Sequence, residues 1–201
     1  MSALKKIAFF DFDGTITIKD TLLEMIKFQK GSFSFYSGFL LHIPWLLAYM
    51  LKLIPNDTAK QKILKYFFGG MKEVDFQRTG DAFAETRLPR LIRPGALKEI
   101  GKLKADQVEI VIVSASAANW IRKWSDSLSL ELVATMLEVK EGQLTGRIKG
   151  KNCYGLEKVR RIREKWNLDE FDEVYVYGDS EGDKPMLALA TESFYKPFRH
   201  E

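Results

Sequence analysis

The sequence predicts an α/β fold, a parallel sheet with helices on both faces and an all-helical segment inserted after the first strand. Three short apolar runs, at residues 7–12, 108–113 and 174–177, each end in small or acidic polar residues, as buried strands that deliver functional groups at their carboxyl ends do. Helical patterns at residues 96–103, 117–124, 156–166 and 185–189 alternate with the last two runs, which argues for parallel strands joined by helices. Between residues 16 and 93 the pattern is helical only, with Phe33, Phe35, Phe67, Phe68 and Phe83 and no strand. The expected organisation is therefore a Rossmann-like core, residues 1–15 and 94–201, and a helical cap, residues 16–93.

The first run gives way to Asp11, Asp13, Gly14 and Thr15. The first cap helix then starts at Asp20 or Thr21, either of which can accept from the free amides of the first turn, and Glu24 is placed to complete a capping box with Thr21. Leu22, Leu23, Met25 and Ile26 supply its apolar stripe. Residues 142–146 read as a hairpin turn between strands 136–140 and 144–148, a flap expected at the sheet edge.

Composition excludes several function classes. A chain of 201 residues, 46% hydrophobic, is long enough for one full core and an insertion. With 29% charged residues and a net charge of +4, no strong polyanion signal stands out, so no nucleic-acid partner is expected. The single cysteine, Cys153, rules out an intramolecular disulfide and suits a reducing compartment. Lys5 and Lys6 precede an apolar run that meets Asp11 at once, so no signal peptide is read and the cytoplasm is the expected location. Residues 33–54 contain no acid and gather Leu40, Leu41, Trp45, Leu46, Leu47, Met50 and Leu51. His42, Pro44 and Lys52 interrupt them, which favours a buried or interfacial helix, with peripheral membrane contact through the cap, over a span.

All three strand ends fall on the edge where open parallel sheets bind ligands. Two carboxylates two residues apart, Asp11 and Asp13, suit phosphoryl transfer: one attacks to form an acyl phosphate, and its neighbour gives a proton to the leaving alcohol and takes one from water. An Asp-Gly turn is the plainer reading of the same residues. Carboxylates repel a phosphate dianion, so such a site needs a hard cation with oxygen ligands, Mg2+ being the usual choice. Asp179 and Asp183, in Gly178-Asp179-Ser180-Glu181-Gly182-Asp183, are the further acids. Ser114, the backbone amide of Ala115, and Lys158 are the candidate donors to phosphate oxygens; as isolated features Ser114 and Asp183 also read as helix caps.

Together, Asp11-Phe12-Asp13-Gly14-Thr15, Ser114, Lys158 and Asp179 with Asp183 resemble, in order and spacing, the four motifs of the haloacid dehalogenase superfamily. Cys153-Tyr154-Gly155-Leu156-Glu157-Lys158 and residues 178–187 resemble its phosphoserine-phosphatase-like branch, and the helical insertion lies where that superfamily carries its first type of cap. The resemblance implies Asp11 as nucleophile, Asp13 as acid and base, and phosphate held by Ser114 and Lys158. It further implies Mg2+ held by the side chains of Asp11 and Asp179 and the backbone carbonyl of Asp13, with Asp183 assisting. A small phosphomonoester is the implied substrate; the acid-free cap segment also resembles that of bacterial phosphatidylglycerophosphate phosphatases, which makes a lipid phosphate the alternative. A non-catalytic binding module is disfavoured by the intact acidic set. Phosphoserine phosphatases have Ser in place of Gly14, Glu in place of Asp20 and Asn in place of Gly182. They also hold the serine carboxylate with a cap arginine, for which Arg78 and Arg87 are the candidates here. Asp20 is thus read as a helix cap first and a substrate contact second.

Overall fold

The computed structural model describes residues 4–51 and 53–199; Lys52 and the side chain of Leu46, both part of the apolar stretch read above, lie outside the described residues. Five parallel strands, β1 (Lys6–Phe10), β2 (Glu109–Ala117), β3 (Glu131–Thr135), β6 (Glu173–Gly178) and β7 (Glu192–Tyr195), form one sheet in the order β3-β2-β1-β6-β7. β4 (Leu137–Lys140) and β5 (Gln143–Ile148) form a separate antiparallel hairpin. β1 is central and apolar because both its faces are covered. With a side-chain period of two, Ile7 and Phe9 pack with Val111, Val113, Val174 and Val176 on one face, while Ala8 and Phe10 pack with Ile110 and Ile112 on the other.

Helices α4 (Pro94–Ala105) and α5 (Ala118–Ser127) cover the second face through Ile100, Leu103, Trp120 and Ile121, whereas α6 (Leu156–Lys165) and α7 (Lys184–Leu187) cover the first through Ile162 and Met186. The helix-covered parallel sheet is as predicted. Short edge strands β3 and β7 escaped prediction, because neither offers a long apolar run.

The insert contains α1 (Thr21–Met50), α2 (Asn56–Phe68) and α3 (Glu73–Thr86). Its two ends run side by side, Ile18 N–H donating to the Leu91 carbonyl and Arg93 N–H to the Ile16 carbonyl, both at 2.8 Å. α1 breaks at Gly31, where φ of +77° is left-handed backbone that a residue with a Cβ adopts at a cost. The arrangement is that of a cap over the sheet's carboxyl edge.

Two local expectations are corrected. The β4–β5 hairpin does not extend the sheet edge. It docks on the cap, with Gly70 N–H donating to the Leu144 carbonyl and Leu144 N–H to the Met71 carbonyl, at 2.8 and 2.9 Å. Nor do Thr21 and Glu24 make a capping box. Thr21 Oγ1 donates to Ser116 Oγ and accepts from the Trp120 indole, while Glu24 N–H turns back to the Asp20 carbonyl. The cap of this helix is Asp20, whose Oδ1 accepts from Leu23 N–H at 3.0 Å.

Glu24 is instead buried, and accepts from Arg87 Nε and Nη2 at 3.2 and 2.6 Å, with Lys19 and Lys27 nearby. Burial pushes its carboxyl up, but the Arg87 bonds and the two lysines outweigh it and hold the group below the usual range. Glu24→Gln should cost about 1–2 kcal/mol, the low end for a charge-assisted pair because Arg87 is partly exposed. A depressed carboxyl stabilises above its unfolded pKa of roughly 4.3, and the contribution is lost as pH falls through the folded value. Thermal melts of wild type and variant should therefore differ at pH 7 and draw together as pH is lowered through the folded value; a difference independent of pH would show that the charge is not the cause.

Candidate active site

The site starts with the end of β1. Asp11 N–H donates to the Tyr177 carbonyl at 2.9 Å, so the last rung of β1–β6 pairing fixes the backbone that carries the Asp11 side chain. The chain then turns tightly through Phe12–Ile16, Gly14 taking φ of +83°. A Cβ at Gly14 would stand 2.4 Å from Asp179 Oδ2, so both the turn and the close approach of the β6 end require glycine there.

Asp179 follows β6, and Asp183 follows it in the next turn, where its Oδ2 accepts from Ser180 N–H at 2.9 Å and Ser180 Oγ at 2.7 Å. Carboxylate oxygens of Asp11, Asp179 and Asp183 lie within 4.8 Å of one another. Lys158, from the first turn of α6, is fully buried and donates from Nζ to Asp11 Oδ1 at 2.5 Å and Asp183 Oδ1 at 2.7 Å. Thr15 Oγ1 donates to Asp11 Oδ2 at 3.2 Å. Asp13 is set apart from this cluster: its Oδ1 accepts from Thr21 N–H at 2.6 Å, so an unpaired amide of the first turn of α1 orients it.

Electrostatics follow from this geometry. Burial pushes the Asp11 carboxyl up to about 7 against the pull of Lys158, and the nearby Asp183 charge adds to the rise. Asp179 is also raised, by burial and by Asp183, with Arg199 opposing at 2.8 Å. For Asp183 burial acts upward, but Lys158 and the Ser180 bonds overcome it and leave the group below the usual range. Lys158 is held above the ordinary lysine range because its two carboxylates outweigh the cost of burial. Three carboxylates thus outnumber the two cations, Lys158 and Arg199, that face them. Three hard oxygen donors in that state fit a divalent cation.

A cavity of about 360 Å³ opens over Asp11, Asp13, Lys158 and Asp183. Its core side also exposes Ala115 and Ser116; its cap side is Leu22, Leu23, Phe39, Ala59 and Ile63, with Lys60. Ser114 lies behind this wall, fully buried, its Oγ accepting from Ser116 N–H at 3.0 Å. Asp179 lines an adjoining hollow with Asp13, Gly14, Asp20 and Arg199. Asp20 lies at the rim of both hollows while capping α1.

Neither candidate cap arginine lines the cavity. Arg87 is engaged by Glu24, and Arg78 lies on the surface beside Asp75. Among the described residues the cation that the cap sends in is Lys60, which sequence reading missed; it donates to the Ala115 carbonyl at 2.6 Å and Asn152 Oδ1 at 3.2 Å. Arg199 was missed as well. In sequence each is one more surface-type cation, and no local signal distinguishes it.

The arrangement has relatives. Protein CicA of Caulobacter vibrioides (strain NA1000 / CB15N) is 34% identical over 193 residues, covering 94% of this chain and 85% of that protein. Among solved structures, a Bordetella pertussis Tohama I protein of unknown function superposes with a TM-score of 0.82 at 19% identity, covering 94% of this chain and 89% of that one. A substrate-bound phosphoserine phosphatase complex does so with a TM-score of 0.63 at 22% identity, covering 95% and 85%. At these identities the two structures speak for the fold. The haloacid dehalogenase-like hydrolase family matches residues 8–188, from the middle of β1 to just past α7, and so takes in every acid of the cluster. On that match, and on the 34% identity to a relative along almost its whole length, the chain belongs to the haloacid dehalogenase-like hydrolases.

Proposed function

We propose that the chain is a Mg2+-dependent phosphatase that hydrolyses a small phosphomonoester through an aspartyl-phosphate on Asp11. The observation that carries this reading is the convergence of Asp11, Asp179 and Asp183 within 4.8 Å, with Lys158 bridging two of them at the floor of one cavity. A carboxylate this buried is poorly solvated, which raises its readiness to attack an electrophile.

In the first step an Asp11 oxygen forms a bond to phosphorus as the bond to the leaving oxygen breaks, and Asp13 gives its proton to that oxygen. In the second, Asp13 takes a proton from water as the water oxygen bonds to phosphorus. The Asp11–phosphorus bond then breaks, releasing inorganic phosphate and restoring the carboxylate. The Thr21 amide keeps Asp13 aimed for both transfers, so the cap helix itself positions the acid. Asp11 and Asp179, with Asp183 and the Asp13 carbonyl, would hold Mg2+, which supplies positive charge to the phosphate oxygens. Lys158 and the cavity wall at Ala115 and Ser116 complete phosphate binding, with Ser114 behind it holding the Ser116 amide.

The solved phosphoserine phosphatases favour a small polar phosphomonoester, with Lys60 in place of a cap arginine as the group that meets its anionic or carbonyl end. The apolar side of the cavity, Leu22, Leu23, Phe39 and Ile63, favours a second substrate, a lipid phosphate. The test is phosphate release from an aryl phosphate, phosphoserine, sugar phosphates, nucleotides and a lipid phosphate, compared by kcat/KM with Mg2+ and after chelation. Metal-dependent release is expected, with the ranking identifying the leaving group. Full rates in chelator, or no release from any substrate, would overturn the proposal.

A further inference from the structure

The second half of α1 carries an apolar surface that the fold leaves uncovered. Phe33 is 87% exposed, Leu40 67%, Met50 74%, and Leu53 just beyond the helix 72%. Tyr36, Leu41, Ile43, Trp45, Leu47 and Leu51 are exposed as well. Isolated exposed apolar side chains are ordinary, but ten large ones on one stretch of about 20 residues are not.

The shape of this surface discriminates between occupants. Positions 33, 36, 40, 43, 47 and 50 recur at three and four, which alone would suit a seam against one partner helix. Leu41 and Trp45 widen the exposed arc to on the order of 200° of the helix circumference at 3.6 residues per turn. Among the described residues Phe35 turns into the cap core, Phe39 into the cavity, and Gly38 and His42 lie against Tyr66 of α2. An arc that wide is immersed rather than paired. No described helix is long and apolar enough to cross a membrane, so the fitting medium is the boundary layer of a bilayer.

Charge selects the kind of bilayer. Residues 27–65 contain six lysines and one acid, Asp57, a net +5, against +4 for the whole chain, so the rest of the protein is net −1. Lys60 is turned into the cavity, but Lys62 lies beside the exposed Trp45, so the excess of positive charge reaches the apolar surface. On that surface Lys62 Nζ lies 4.6 Å from the ring of the exposed Trp45, a pairing of aromatic and basic groups suited to the headgroup layer.

We propose that this cap surface docks the protein, peripherally and reversibly, on an anionic lipid bilayer. Phe39 of the same helix lines the cavity, so docking brings the apolar side of the cavity close to the lipid. The proposal does not depend on the catalytic reading, and its test uses lipid binding, not activity, as the readout.

The full-length protein is sedimented with vesicles of phosphatidylcholine alone and of phosphatidylcholine with phosphatidylglycerol, and its mass in solution is measured by light scattering. Binding to the anionic vesicles is expected, weakening as salt is raised. The variant Phe33→Ser/Leu40→Ser/Met50→Ser should lose at least about tenfold of the partition coefficient. Lys30→Glu/Lys62→Glu should lose binding to anionic vesicles while keeping the wild-type melting temperature, which guards against misfolding as the cause. Absence of wild-type binding to anionic vesicles, or equal binding by the serine variant, overturns the proposal. So does a dimer that the serine substitutions dissociate in a protein that ignores lipid, since a second copy would then be the occupant.

Discussion

Asp11→Asn should abolish hydrolysis of an aryl phosphate, lowering kcat by at least about 10³-fold, the scale of losing a covalent nucleophile. The same variant should melt no lower than wild type. The two halves of this result have one cause. Burial holds the Asp11 carboxyl up at about 7, and a raised carboxyl means that the folded protein binds a proton more tightly than the unfolded one. Its effect on stability therefore becomes more unfavourable as pH rises from roughly 3.9 to 7. At pH 7.5 an amide removes that burden, and Lys158 keeps Asp183 as its partner at 2.7 Å. Activity lost with stability kept is the signature of a group retained for chemistry. Retention of most of the wild-type rate would mean that another atom attacks phosphorus, and a large fall in melting temperature would mean that Asp11 is chiefly structural.

Sequence made the acids legible for a physical reason. An apolar run that stops abruptly at Asp11, or at Asp179, reports both a buried strand and the polar group at its end. Parallel strands all deliver such groups to one edge, so Asp11 and Asp179 could be placed together across 167 intervening positions. Lys60 could not be read in this way. It lies on α2, and what draws it to the Ala115 carbonyl is the docking of the cap on the core, which no local pattern encodes. Thr21 and Glu24 illustrate the opposite failure. Their spacing matches a capping box, but Ser116 and Trp120 from the core claim the hydroxyl and Arg87 claims the carboxylate. The β4–β5 hairpin was recognised from its glycines and misplaced for the same reason, since its partner edge lies in the cap.

Lys158→Met should be among the most destabilising single substitutions in the protein, costing about 3–5 kcal/mol at pH 8, the range for breaking a buried ion pair from one side. The methionine fills the same space, so the loss would come from charge: it leaves Asp11 and Asp183 buried and facing the site without their shared cation. The protein has one inexpensive relief. Asp11, already raised to about 7 beside the lysine, is pushed higher without it and takes up a proton. Because the folded variant then binds a proton that its unfolded chain releases, its deficit against wild type must shrink as pH falls from 8 toward 5. Melting temperatures of the pair at pH 5.5 and 8 check this. A deficit that did not change with pH would assign Lys158 a packing role. If the acids hold Mg2+ as proposed, adding it should raise the melting temperature of Lys158→Met more than that of wild type, whose lysine already offsets part of the same charge. Equal shifts would separate the lysine from the acidic cluster and undo the electrostatic account of the site.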